Sequence, residues 1–143
     1  MIYEIKPGNF EKEIDVAGCF IEYDKKILLL HRLEHKTNGD TVGLPAGKML
    51  ANETLNQTII REVKEETGID ISTLPIKFIK SVHIRHEGHD LVFHMFKLAL
   101  NNLPEVIINP EEHKNFYWLT KEEILERNDL IHDLKQCLTS YYI

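Results

Sequence analysis

Residues 47–69 read GKMLANETLNQTIIREVKEETGI, and this stretch decides the fold. Leu55, Ile59 and Val63 recur every fourth residue and Ile60 widens the stripe, which is the period of an amphipathic α-helix. The spacing predicts a helix over 52–67, with Asn52 as its N-cap and Gly68 as the residue just past its C-terminal end. On that helix Glu62, Glu65 and Glu66 stand at i, i+3 and i+4, so their carboxylates converge on one side. At about 100° per residue, Glu62 and Glu66 border the apolar stripe, which puts them where the helix meets the body of the protein. Like charges so spaced destabilise an isolated helix by roughly 0.2–0.5 kcal/mol per pair. A bound cation reverses that sign.

Working outward, Gly43-Leu44-Pro45-Ala46-Gly47 reads as a loop leading into the helix, preceded by a polar stretch over 33–41 with an Asn38-Gly39-Asp40 turn. Residues 15–23 and 27–32 form a strand pair around Asp24-Lys25-Lys26. Beyond the helix, 76–85 and 91–100 make a second hairpin around 86–90. A short strand over 115–119 leads to Thr120 and Glu123, spaced as a capping box, and the remainder forms one or two helices. Strands interrupted by one long helix and closed by another give an α/β (α+β) architecture.

The acids suggest a chemistry. Several carboxylates with positions left for water and phosphate oxygens suit magnesium, which keeps part of its hydration when protein-bound. Such ions neutralise a polyanionic substrate, stabilise charge on a leaving oxygen and acidify an attacking water. Arg61, one turn before Glu65, is placed to orient an acid through a bidentate contact. Glu53, expected in the first helical turn, is favoured there by the helix dipole. Two adjacent glutamates alone would signify only a solvated face.

The 143 residues fit one domain, 1–143, and carry a net charge of −6. That balance argues against a general nucleic-acid binder, which presents a basic face. No stretch reaches the roughly 20 apolar residues of a membrane span. The charged N-terminus MIYEIKPGNFEKE lacks the apolar core of a signal peptide, so a cytoplasmic location is expected. Cys19 and Cys137 lie far apart without metal-ligand spacing and read as free thiols.

The 47–69 stretch matches the Nudix box without a mismatch: a glycine, five residues, a glutamate, seven residues, Arg-Glu, an apolar residue, any residue, Glu-Glu, any residue, Gly, apolar. A chance match in a chain this long is on the order of one in ten million. The resemblance continues in Gly43-Leu44-Pro45-Ala46-Gly47, similar to the family's Gly-Leu-Pro-Gly-Gly lead-in, and in Glu111-Glu112-His113 followed by Trp118-Leu119. It implies the Nudix fold, a mixed β-sheet between helices, and Mg2+ or Mn2+ held by Glu62, Glu65, Glu66 and the Gly47 carbonyl. Arg61 and Glu53 would be the supporting pair, and Glu112, before Glu111, an additional ligand or base from a loop. Glu62 and Glu112 both stay eligible as general base. Val42, where a tryptophan is frequent, and Met49-Leu50-Ala51-Asn52 depart from the family's pattern without touching a ligand.

The resemblance implies hydrolysis of a phosphoanhydride bond in a small-molecule nucleotide by a monomer or homodimer. Subgroup markers do not fix the substrate: Arg85 stands where the ADP-ribose subgroup often has proline, and Glu87 where the dinucleoside-polyphosphate subgroup often has tyrosine. The reading leans to a nucleoside triphosphate pyrophosphohydrolase, with an ADP-ribose or nucleotide-sugar pyrophosphatase as runner-up. A non-catalytic nucleotide-binding module of the same fold is the competing class, set against an intact box. His83, His86, His89 and His94 make no ready zinc site, since strand alternation turns His83 and His86 to opposite faces. His31 and His35 are candidates for the site entrance. Phe93, Phe96, Phe116, Tyr117 and Trp118 are mostly core by alternation, with base stacking open to any of them.

Overall fold

Two tight turns organise the sheet. In the first, Asp24 and Lys25 both take positive φ, 50° and 64°, and join strands β2 (Ile14–Tyr23) and β3 (Lys26–Arg32). In the second, Glu87 and Gly88, at 51° and 79°, join β6 (Lys77–His86) and β7 (His89–Ala99). Positive φ at both central residues matches the twist of the flanking strands. The computed structural model describes residues 1–142, and β1 (Ile2–Tyr3), β4 (Val42–Gly43), β5 (Ala46–Lys48) and β8 (His113–Thr120) complete its strands. The helices are α1 (Leu55–Thr67), α2 (Lys121–Leu125) and α3 (Leu134–Tyr141).

The hairpins lie side by side through a parallel β2·β7 pairing that runs from Ile14↔Leu91 to Glu22↔Ala99, whereas the other named strand pairs are antiparallel. The result is an 8-stranded mixed sheet in the order β1-β6-β7-β2-β3-β4, with β5 on β2 and β8 on β3. Alternation along the strands sends side chains to two cores. Ala17, Cys19, Ile21 and Leu28 pack with Ile59 and Val63 of α1. Phe20, Ile27 and Leu29 pack with Ile124, Leu134 and Leu138 of the other two helices. The sheet is therefore held between helices, as the motif implied. Among the described residues no helix is long and apolar enough to cross a membrane.

The structure corrects several expected boundaries. Thr54, not Asn52, caps α1: its hydroxyl accepts from Gln57 N–H, and the Gln57 side chain accepts from Thr54 N–H. This reciprocal box satisfies two helix-end donors at once, whereas Asn52, at φ 68°, belongs to the preceding turn. Glu53 consequently precedes the helix instead of lying in its first turn. Gly68 does end the helix, at φ 76° with its N–H bonded to Lys64 O. β8 begins two residues earlier than expected, at His113, and β4 and β5 arise inside the stretch read as loop.

Candidate active site

The apolar stripe of α1 fixes the depth of each acid. Because Ile59 and Val63 are fully buried against the sheet, Glu66 is drawn inside, at 4% exposure, and Glu62 is half-buried beside it. Glu65 is exposed. Glu66 Oε1 accepts the Ala46 N–H at 2.8 Å, and its Oε2 lies 4.0 Å from His113 Nε2. The Glu62 carboxylate rests directly on Gly47, where an added Cβ would come within 2.0 Å of its carboxyl carbon. Only glycine permits that approach.

Arg61 ties the acids together. Its Nε and Nη2 donate to Glu53 Oε2 and Oε1 at 2.7 and 2.9 Å, and Nη2 also reaches Lys48 O at 3.0 Å. Its Nη1 donates to Glu62 at 2.7 Å and to Glu65 at 3.2 Å. Glu53 further accepts the Leu50 N–H and the Thr58 hydroxyl. Arg61 and Glu53, expected as a supporting pair, are in contact, and the bidentate contact of Arg61 is made to Glu53.

Glu112 comes from the segment that leads into β8. The segment before β8 is pinned by Ile107 N–H to Thr67 O and by Glu112 and His113 N–H to Asn109 O. Pairing of β3 with β8 passes from His31↔Asn115 to Arg32↔His113, so Lys114 is the extra residue of a bulge. A bulge re-aims its neighbours, and His113 enters the interior at 3% exposure. Ligand atoms of Glu66, Glu112 and His113 all lie within 4.8 Å of one another. Glu111 is exposed, its N–H bonded to Asn109 Oδ1, which favours Glu112 of the two.

The electrostatics fit a divalent cation. Burial raises the Glu66 carboxyl well above its ordinary range, and neighbouring Glu62 and Glu112 raise it further against the Ala46 N–H and the Arg32 charge. Burial likewise raises Glu62, opposed by Arg61. The Arg61 guanidinium and the Leu50 N–H hold Glu53 down to about 2. Buried carboxylates facing one another need positive charge to stay ionised, and Glu62, Glu66, Glu112 and the Gly47 carbonyl are the donors to which it would bind, with Glu65 at the rim. Burial, with Arg32 and His31 nearby, lowers the His113 imidazole to about 4, so the ring is neutral.

A cavity of about 610 Å³ opens beside this centre, lined among others by Glu66, Gly47, His113, His132 and Asp133. Leu44, Leu91, Phe93 and Ile131 form apolar wall, and Arg32 supplies a cation, with its Nε donating to Thr37 O. Phe93 is the member of the expected aromatic set that lines the cavity; Phe96, Phe116 and Trp118 pack with the α1 core and Tyr117 with the other. Arg32 and His113 carried no role in the sequence reading. The His in Glu111-Glu112-His113 was the available signal, but its inward aim depends on the bulge.

Several other histidines have partners of their own. His31 bonds Tyr117 and Asp40, His35 is exposed, and His94 bonds Ser81 and Asp15. The His83, His86, His89 and His94 set does not converge on one point; His86 instead stacks on His132 with ring centroids 3.6 Å apart. Cys19 and Cys137 are buried free thiols, and burial pushes both upward, Cys137 to about 12.

Comparison with known proteins shows the family. The sequence model of the NUDIX domain family matches residues 12–139, and the chain belongs to that family. The CTP pyrophosphohydrolase of Escherichia coli K12 is 26% identical over 117 residues, 80% of this chain and 82% of that protein. The NAD-capped RNA hydrolase NudC of Vibrio atlanticus is 50% identical over 54 residues, 38% of this chain but only 19% of that protein. The chain thus spans about a fifth of one relative's length and most of the other's. Among solved structures, the MutT protein from Methanosarcina mazei Go1 superposes with a TM-score of 0.79 at 26% identity, over 92% of this chain and 94% of that one.

Proposed function

We propose that the protein is a pyrophosphohydrolase that cleaves a phosphoanhydride bond in a nucleoside triphosphate, with Mg2+ or Mn2+ at Glu62, Glu65, Glu66, Glu112 and the Gly47 carbonyl. One observation carries this reading: a cavity with apolar lining reaches Glu66, a buried acid whose carboxyl is raised by burial and by neighbouring Glu62 and Glu112. A nucleobase suits the apolar wall, and a phosphate chain suits the part beside Glu66 once cations are bound. The nearly full-length match to a CTP pyrophosphohydrolase supports the nucleoside triphosphate over ADP-ribose or a nucleotide sugar.

The divalent ion supplies charge neutralisation of the phosphates and acidifies the attacking water. The chain's own groups supply the rest. Arg32 faces the phosphates from the end of β3. Glu62, raised by burial and oriented by Arg61, takes the proton as water oxygen attacks phosphorus; the anhydride P–O bond breaks and its electrons leave on the departing phosphate oxygen. Arg61 and Glu53 act by positioning. Phe93 and its apolar neighbours hold the base and exclude water.

A panel of nucleoside triphosphates, ADP-ribose and nucleotide sugars, incubated with Mg2+, tests this directly. Release of pyrophosphate and nucleoside monophosphate from a triphosphate is expected. Turnover confined to ADP-ribose or nucleotide sugars would transfer the substrate assignment to the linked diphosphates, and binding of nucleotides without turnover would make the protein a binding module.

A further inference from the structure

His113 has an accounting problem that its surroundings do not solve. The residue is 97% buried by its 3% exposure, its Nδ1 has no hydrogen-bond partner among the described residues, and its Nε2 lies 4.0 Å from Glu66 Oε2. That separation is too long for a hydrogen bond. Buried polar side chains are nearly always satisfied, so an orphaned imidazole needs a reason. Two acids stand close by: ligand atoms of Glu66, Glu112 and His113 lie within 4.8 Å of one another. The β3·β8 bulge is what delivers it there, by turning Lys114 out to Asp40 and Glu34 and His113 in.

We propose that His113 supplies a nitrogen ligand to the divalent centre beside Glu66 and Glu112, giving it a mixed oxygen–nitrogen donor set that favours Co2+, Ni2+ or Zn2+ over Mg2+. The inference rests on the hydrolase reading for the existence of the centre and adds a ligand that the acidic motif does not contain. Mg2+ is a hard ion that takes oxygen donors at near-octahedral geometry. An imidazole nitrogen adds affinity for later first-row metals and adds little for magnesium. A neutral ligand also offsets no charge, so it selects by donor type and not by electrostatics.

The experiment uses the whole protein and Co2+ as probe, without substrate. Cobalt-ligated histidine gives a solvent-exchangeable ring N–H proton resonance far outside the diamagnetic range, so one such signal is expected in the wild type. It should vanish in His113→Gln and persist in His31→Gln, His86→Gln and His132→Gln, with folding checked by far-UV circular dichroism. Calorimetric titration with Co2+ and with Mg2+ should show the Co2+/Mg2+ affinity ratio falling by about 10–100-fold in His113→Gln. Should that variant not fold, His113→Asn repeats the test, and His→Gln variants at the other seven histidines assign the wild-type signal by elimination. Co2+ that binds the wild type without this resonance overturns the role of His113 and leaves the hydrolase reading standing. A protein that binds neither ion overturns both.

Discussion

Arg61 grips Glu53 through two hydrogen bonds, Nε to Oε2 at 2.7 Å and Nη2 to Oε1 at 2.9 Å, although eight residues and the start of α1 separate them. The same guanidinium places its remaining nitrogen on Glu62 at 2.7 Å. Glu53 thus fixes the arginine, and the arginine fixes the proposed base. A lysine offers a point charge in place of the planar fork. Arg61→Lys is expected to keep the fold and lower kcat by about 10–100-fold at saturating Mg2+, with KM changing less. Steady-state kinetics beside a thermal melt check this; unchanged kcat would remove Arg61 from the positioning role.

Gly47 should be intolerant for a local reason. A Cβ there collides with the Glu62 carboxylate, the far end of a flexible side chain, so the helix stays while the carboxylate is displaced. Gly47→Ala is therefore expected to melt close to the wild type yet lose roughly 100-fold in kcat, since about 1 Å of misplacement costs that much. A variant with full turnover would show that the Glu62 carboxylate need not rest there.

The fold's acid sensitivity has an origin away from the site. Asp90 accepts from Arg85 Nε and Nη2 at 2.7 and 2.9 Å and from Glu11 N–H at 2.8 Å, and the Arg85 contact leads in holding it down to about 2 from an ordinary 3.8. Because the folded value is depressed, its stabilisation is present above the unfolded value and disappears as pH falls through the folded one. Asp90→Asn should lower Tm at pH 7, and the gap to wild type should narrow between pH 4 and pH 2. A gap that stays constant over that window would place the effect elsewhere.

The parts of this site that follow a short-range rule were legible in the sequence, and those that depend on distant pairing were not. Helical spacing alone put Glu62 and Glu66 at the edge of the buried stripe, which is where they lie. The N-cap was misplaced by two residues because Asn52 and Thr54 are both good caps, and only the partner Gln57 decides between them. His113 points inward through a bulge set by register against β3, a pairing across some eighty residues. His86 meets His132 by the same kind of long-range closure. β4 and β5, at two and three residues, are too short to show a period.

The base assignment separates two carboxylates carried by different segments, α1 and the lead-in to β8. Glu62 is fixed by α1 and Arg61, whereas Glu112 hangs from the segment before β8, beside His113. At saturating metal and substrate, Glu62→Gln should show the larger loss of kcat and Glu112→Gln mainly a weaker apparent metal affinity. If the acidic limb of the pH–rate profile disappears only in Glu112→Gln, the base is Glu112.

The central claim is that buried acids on α1 hold a divalent ion for phosphoanhydride hydrolysis. Its most direct test is nucleotide turnover by wild type and Glu66→Gln in metal-free buffer, followed by addition of Mg2+ or Mn2+. The account expects no turnover with EDTA, full recovery of the wild type on adding metal, and a Glu66→Gln variant that folds but stays slower by orders of magnitude. Full turnover in metal-free buffer, or near wild-type rates from Glu66→Gln at saturating Mg2+, would contradict it.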